Sequence, residues 1–244
     1  MFEEFIPKRK IGVLSPRSVI DNQPSEFYRL APPGSMLVMV PSGLREFSRE
    51  DVERVFASVD ERLEMLMERG IDLVMQAGVP LPILIGIEAH DRLIAHMEEK
   101  TGLPATSSVL NVVAAAKHLG IENIAVVNKW TDEMNKTLAE FFAREGIAVA
   151  GVANRSMTPA EFTRISSAGS VDLAYGLGRQ AFEDYPEADG LYIGGGNWIS
   201  QPVAERLEQE FDKPAYCNQG AMIWECFHRL DCWQPIPGHG RLLA

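Results

Sequence analysis

Asp72-Leu-Val-Met-Gln-Ala-Gly78 and Asp189-Gly-Leu-Tyr-Ile-Gly-Gly195 stand 117 residues apart and decide how this chain is read. Each is an aspartate, an apolar run of strand length, and a glycine six residues beyond the aspartate. Their neighbours repeat in the same order. Ile11-Gly-Val-Leu-Ser-Pro16 returns as Ile124-Ala-Val-Val-Asn-Lys129 after 113 residues, and Leu103-Pro-Ala-Thr-Ser107 as Lys213-Pro-Ala-Tyr-Cys217 after 110. The helices that follow agree as well, with Lys117-His-Leu-Gly120 beside His228-Arg-Leu-Asp231. Matches in one order at nearly constant offset mark an internal duplication.

Working outward, strand-like runs alternate with helical patterns. Ile11–Leu14 and Met36–Val40 read as strands. Ser48 with Asp51 has the spacing of a capping box, and apolar residues from Val52 to Met67 recur at helical spacing up to Gly70. Strands follow at Ile71–Gln76, Ala105–Ser107, Ile124–Val127, Ile147–Val152 and Gly190–Ile193. Helices are expected over Ile87–Lys100, Leu110–Leu119, Thr131–Glu145, Ser170–Tyr185 and Gln201–Phe211, several of them stopped by a glycine. Such alternation implies an α/β fold with parallel sheets covered by helices. Ligands of open α/β sheets sit outside the carboxyl ends of the strands. Two similar halves therefore suggest one cleft, approached by the loops at Ser15, Gly78-Val79, Asn128-Lys129-Trp130, Gly194–Trp198 and Cys217-Asn218-Gln219.

The composition narrows the function. With 244 residues the chain can bury a substantial core, and a net charge of −11 argues against nucleic acid as a partner. The longest apolar runs, such as Leu81–Ile87, are too short to span a bilayer, and the acidic start Met1-Phe-Glu-Glu lacks the features of a signal peptide. A cytoplasmic protein is expected. Cys217, Cys226 and Cys232 form no CxxC pair, and the five histidines add no ligand spacing, so no metal site is expected. A homo-oligomer is left open, since nothing in the sequence marks an interface.

Gly194-Gly-Gly-Asn-Trp198 lies between a strand and a helix, where bare backbone amides can approach an anion. It is not GxGxxG, so no dinucleotide site is read there. Lys129 is either a carboxylate anchor or proton donor, or a solvated surface charge. Trp130 is an apolar wall or core filler. His90, His96 and His118 read as surface or core residues. No Ser in a GxSxG context accompanies His90-Asp91, so serine-hydrolase chemistry is not expected.

The ordered motifs resemble the aspartate/glutamate racemase superfamily, in its maleate cis-trans isomerase and arylmalonate decarboxylase branch. The resemblance spans essentially the whole chain. It rests on Ile11–Pro16 with Glu26-Phe-Tyr-Arg-Leu-Ala-Pro32, Gly70-Ile-Asp-Leu-Val74, Pro104-Ala-Thr-Ser-Ser108 before a helix ending at Gly120, Thr131-Asp-Glu133, and Asn218-Gln219 followed by Trp224. It implies two pseudo-symmetric Rossmann-like (flavodoxin-like) halves, residues 1–110 plus 218–244 and residues 111–217, with a small carboxylate between them. It also implies proton transfer, isomerisation or decarboxylation without metal or pyridoxal phosphate. Family members use one or two cysteines. Here the two thiol positions resemble Gly78 and Gly195, and Trp130 stands where the isomerases carry a tyrosine.

A cysteine-less decarboxylation needs a polar cradle for one carboxylate and an apolar wall for the departing one. Ser15, Asn128, Asn197, Asn218 and Gln219 with the backbone at Gly78, Val79, Gly195 and Gly196 are the expected cradle, and Trp130 the wall. Lys129 and Cys217 are the expected catalytic groups, with water as the other proton source. The leading expectation is thus a cofactor-independent lyase or isomerase of a small carboxylate; the alternative is a non-catalytic protein that binds such a carboxylate.

Overall fold

The computed structural model describes residues 2, 6–20, 22–196 and 198–244. The chain divides into two compact units, Met1–Ser108 with Cys226–Gln234 and Val109–Glu225 with Pro235–Ala244. In the first, β1 (Arg9–Ser15), β2 (Ser35–Pro41), β3 (Leu73–Gln76) and β4 (Ala105–Ser107) form a parallel sheet in the order β2-β1-β3-β4. Its helices are α1 (Asn22–Leu30), α2 (Arg49–Phe56), α3 (Val59–Met67), α4 (Pro80–Ile85) and α5 (Ile87–Thr101). After α6 (Ser108–His118), the second unit repeats the plan. There β5 (Asn123–Asn128), β6 (Ala148–Asn154), β7 (Gly190–Ile193) and β8 (Ala215–Cys217) form a parallel sheet in the order β6-β5-β7-β8. Around it run α7 (Asp132–Arg144), α8 (Pro159–Arg164), α9 (Ser167–Asp184), α10 (Gln201–Phe211) and α11 (Asn218–Arg229). The two α/β halves of the expected fold class are present, each a four-stranded parallel sheet flanked by helices.

The duplication extends to individual hydrogen bonds. Asp72 accepts from the Lys10 amide at 2.7 Å and Asp189 from the Asn123 amide at 3.1 Å, so each aspartate clamps the entry of its unit's first strand. Glu98 accepts from the Ala105 amide at 3.3 Å, and Glu208, 110 residues later, from the Ala215 amide at 3.1 Å. At the strand tips Ala77 donates to Leu14 O and Gly194 to Val127 O. Gly78 then donates to Ser108 Oγ at 2.9 Å, and Gly195 to Asn218 Oδ1 at 2.8 Å. The motifs repeat in sequence because the same backbone groups need the same partners.

Each unit has its own core. Leu14, Leu63, Leu66, Val74, Met97 and Ala105 centre the first; Val127, Ala174, Leu191, Ile193, Trp198 and Leu207 belong to the second. Helix starts follow capping chemistry, since Ser48 accepts from the Asp51 amide and Thr131 from the Met134 amide.

The helical spacing from Val52 to Met67 resolves into two helices rather than one. Ser58 Oγ bonds to Arg54 O and Val55 O, and Arg62 donates to Val55 O, so side chains compete with the helical ladder at the break. The apolar run Leu81–Ile87 is mostly α4, begun at Pro80 and ended by Gly86 at φ +77°. Helices α1 and α8 lie where no regular element is expected from spacing. Among the described residues no helix is long and apolar enough to cross a membrane.

Glu208 also accepts from the Arg241 amide at 2.9 Å, tying the C-terminal segment to α10 and β8. Burial raises its pKa above the ordinary value of 4.5, opposed by those two backbone hydrogen bonds. A raised carboxyl holds its proton more tightly in the folded chain, so its contribution to stability falls as pH rises through the interval above 4.5. Glu208→Ala leaves two backbone donors without their acceptor and is expected to cost about 2–4 kcal/mol at neutral pH. Denaturant titrations at pH 7 and at about pH 5 check both points. The parent should gain on Glu208→Ala as the solution is acidified; an unchanged or reversed difference contradicts the assignment.

Candidate active site

In both sheets the chain order reverses between the first and third strands, the switch point at which open α/β folds place ligands. In the second unit that point lies between the loops after β5 and β7. The β5 loop is fixed from within. Asn128, fully buried, donates to Asn135 Oδ1 at 2.6 Å and accepts from the Trp130 amide at 3.0 Å. Met157 N donates to Lys129 O, and Asn154 Nδ2 to Trp130 O. These bonds hold Lys129 in one backbone conformation.

The Lys129 side chain is 1% exposed, and its Nζ lies 3.9 Å from the centroid of the Trp198 ring. Desolvating an ammonium costs several kcal/mol, whereas a desolvated cation–π contact returns about 2 kcal/mol. A lysine is kept at such a position only where the surrounding fold over-determines it, and buried ionisable groups at strand tips are candidates for chemistry.

Gly195, directly after the β7 tip, has φ +112°, a conformation L residues rarely adopt. Its amide is held by Asn218 Oδ1, which also accepts from the Tyr192 hydroxyl at 2.6 Å. Burial pushes the Tyr192 hydroxyl well above the usual phenol range, with Cys217 adding to the rise and the Asn218 hydrogen bond opposing it. Tyr192 therefore serves as a neutral donor that orients Asn218.

A side chain projected from Gly195 would place its Cβ 3.5 Å from Trp198 Nε1, 3.6 Å from Lys129 Cε and 3.7 Å from Lys129 Nζ. The Trp198 indole is fully buried, and its Nε1 has no hydrogen-bond partner among the described residues. An amine and an indole N–H thus border the space that a side chain at 195 would occupy. Such an arrangement can hold a carboxylate or an oxyanion and supply a proton. Trp130, 2% exposed, lies against Gly194, whose own Cβ would come 2.9 Å from Trp130 Cη2.

The equivalent loops of the first unit are built differently. Gly78 has φ +87°, and a Cβ there would meet Pro16 Cγ at 2.6 Å. Pro16 occupies the place in β1's loop that Lys129 occupies in β5's, so a saturated ring stands where the second unit has an amine. Ser15 is buried, its Oγ accepting from the Arg17 amide at 3.4 Å, and the buried Val79 leads into α4.

Around the second unit's site the structure gathers Lys129, Trp130 and Gly195, and Asn218 beneath the Gly195 amide. Asn128 shapes the loop with both ends of its side-chain amide engaged inside the protein. Cys217 is fully buried and directs Sγ to Gln201 Oε1 at 3.2 Å. Gln219 is buried with its Nε2 lacking a hydrogen-bond partner among the described residues, Gly196 is exposed, and Asn197 lies outside the described residues. Trp198 is the residue that spacing does not single out; an indole five positions after a β7 core residue reads equally as core. Tyr192 likewise hides in an apolar strand. His90, in the first unit, is buried with Nε2 2.8 Å from Ser107 Oγ, while His96 pairs with Asp60 and His118 lies against Trp224.

Comparison with known proteins places these features in a family. The profile of the Amdase family, described as arylmalonate decarboxylase, matches residues 16–243. The arylmalonate decarboxylase of Bordetella bronchiseptica is 27% identical over 202 residues, 82% of this chain and 82% of that protein. A crystal structure of arylmalonate decarboxylase with a glycine-to-cysteine and a cysteine-to-serine exchange, in liganded form, is 25% identical with a TM-score of 0.85, covering 97% of this chain and 99% of that one. The maleate isomerase of Pseudomonas putida S16, crystallised with maleate, has the same fold with a TM-score of 0.85 at 18% identity, covering 96% and 97%. Strand order, duplicated strand-tip loops and a family match over nearly the full length agree: the chain belongs to the arylmalonate decarboxylase family.

Proposed function

We propose that this protein is a cofactor-independent lyase acting on a small carboxylate, closest to the arylmalonate decarboxylases, in which Lys129 supplies the proton that a thiol supplies elsewhere in the family. The observation that carries this reading is the position of Lys129 Nζ, 3.7 Å from where a side chain at Gly195 would begin. Gly195 is the residue that the family resemblance aligns with a thiol. In the mechanism we propose, one substrate carboxylate accepts from the Trp198 N–H and from Lys129, while the departing carboxylate lies against the Trp130 and Trp198 rings. Loss of CO₂ leaves an enediolate, which the same two donors stabilise as charge moves onto its oxygens. Lys129 then protonates the carbon. Cys217 is the weaker candidate for that proton because its thiol is directed to Gln201 inside the second unit's core.

Turnover of 2-substituted malonates by the purified chain tests the reading. Lys129→Ala is expected to lower kcat by about 100-fold or more, the usual effect of removing a general acid. Lys129→Arg keeps the cation yet remains impaired in protonation, since a guanidinium is too weak an acid. Cys217→Ser should leave kcat unchanged. Malonates that bind the parent without being consumed contradict a lyase and favour the carboxylate-binding alternative. Full activity of Lys129→Ala removes the lysine from the chemistry.

Trp198→Phe keeps an aromatic wall but deletes the indole donor. It is expected to lower kcat more than it raises KM, because the lost hydrogen bond strengthens as charge develops. A pure KM effect would mean that Trp198 only shapes the substrate's seat.

A further inference from the structure

We infer that the substrate class of this site extends to 3-oxo carboxylic acids, decarboxylated through a covalent iminium between the substrate's ketone carbon and Lys129 Nζ. The inference rests on the functional reading above, in that it uses the same amine and the same strand-tip loops, and it gives the amine a second capacity that a thiol lacks.

Three observations carry it. First, the amine lies beneath a residue without a side chain: Lys129 Nζ is 3.7 Å from the projected Cβ of Gly195, and Gly195 is itself partly exposed while Gly196 is exposed. Second, the equivalent loop of the first unit shows that this gap need not hold an amine. Pro16 fills it there, within 2.6 Å of the projected Cβ of Gly78, so the fold tolerates an inert occupant and the second unit carries a nucleophile instead. Third, Trp198 Nε1 borders the same space, 3.5 Å from the projected Cβ of Gly195, fully buried and with no acceptor among the described residues. An iminium route needs that donor, because a carbinolamine oxygen forms within bonding distance of the nitrogen and must be held until it leaves. Amine nucleophiles in proteins are characteristically lysines shielded from water in apolar surroundings, and Lys129 is 1% exposed against an indole face.

The steps balance with water alone as co-reactant. The Lys129 ammonium first gives its third proton to solvent, and the resulting neutral amine adds to the ketone carbon, forming a C–N bond. The former carbonyl oxygen takes two protons and departs as water, leaving the iminium. The bond between C2 and the carboxylate breaks, CO₂ leaves, and its electron pair forms the enamine as the iminium nitrogen accepts charge. C2 takes a proton from solvent. Water then adds to the iminium carbon, and cleavage of the C–N bond releases the ketone and returns the amine. No oxidant, reductant or metal takes part.

Acetoacetate is the probe. The full-length chain is incubated with it and treated with sodium borohydride, and the peptide carrying residue 129 is weighed by mass spectrometry. The expected result is a reduced isopropyl adduct on Lys129, absent from Lys129→Ala and Lys129→Arg and retained in Lys136→Arg, which alters an exposed lysine of α7. Lys129→Arg, checked for its folded circular-dichroism spectrum, separates loss of the nucleophile from loss of the fold. In ¹⁸O-water, the acetone from each turnover should carry solvent oxygen at a rate above spontaneous exchange. Decarboxylation of acetoacetate without any adduct, or an adduct spread over surface lysines regardless of residue 129, overturns the iminium. Malonate turnover that depends on Lys129 while acetoacetate is neither trapped nor consumed also overturns it, and leaves the lyase reading standing. Silence toward malonates and 3-oxo acids alike ends both.

Discussion

An amine buried at a strand tip is the constraint from which the rest of this site follows. Lys129 can stay out of water only if its backbone is fixed, its methylenes are packed and its nitrogen meets a compatible surface. Each condition has a named source. Asn128, Asn154 and Met157 fix the turn, and the Trp198 ring offers its face at 3.9 Å. Gly195 leaves the space beside that nitrogen without a side chain. Its positive φ is held by Asn218, which Tyr192 orients in turn. These two sets of hydrogen bonds draw on β5, β6, β7 and α11 and hold the loops that carry Lys129 and Gly195.

The duplicated architecture sharpens the point. The two units share strand order, the aspartate clamps at Asp72 and Asp189, the glutamate bonds of Glu98 and Glu208, and the anchoring of each strand-tip glycine amide by the first residue of the helix after β4 or β8. They part beside those two glycines. Pro16 closes the space beside Gly78, and Lys129 lines the space beside Gly195. The shared bonds give both units one scaffold, while the residues beside the two strand-tip glycines differ in kind, a saturated ring in one unit and an amine in the other. The fold rests on those hydrogen bonds, whereas the chemistry available at each strand tip depends on the side chain beside it.

Much of the fold is legible in the amino-acid sequence, and the reason is local. Gly190–Ile193 and Gln201–Phe211 have the bounds their apolar pattern implies, and Ser48 and Thr131 cap as their chemistry requires. The break at Ser58 is not legible, because it depends on Arg62 reaching back to Val55 O. At the site, the strand-tip loops are legible from the repeat. The orientation of individual groups is not. Asn128 and Asn218 read as substrate ligands by residue type, yet both Asn128 amide atoms and the Asn218 oxygen are engaged inside the protein. Trp198 reads as core, and it is core, but its one polar atom faces the gap beside Gly195. Burial of Lys129 is equally invisible to spacing, since a loop lysine between an asparagine and a tryptophan carries no periodic signal.

The most direct measurement of the central claim is a crystal structure of the chain with a benzylphosphonate, a non-reactive mimic of the carboxylate substrate. The account places a phosphonate oxygen within hydrogen-bonding reach of both Lys129 Nζ and Trp198 Nε1, in the space left by Gly195. A phosphonate bound by other residues, with those two nitrogens untouched, would contradict it.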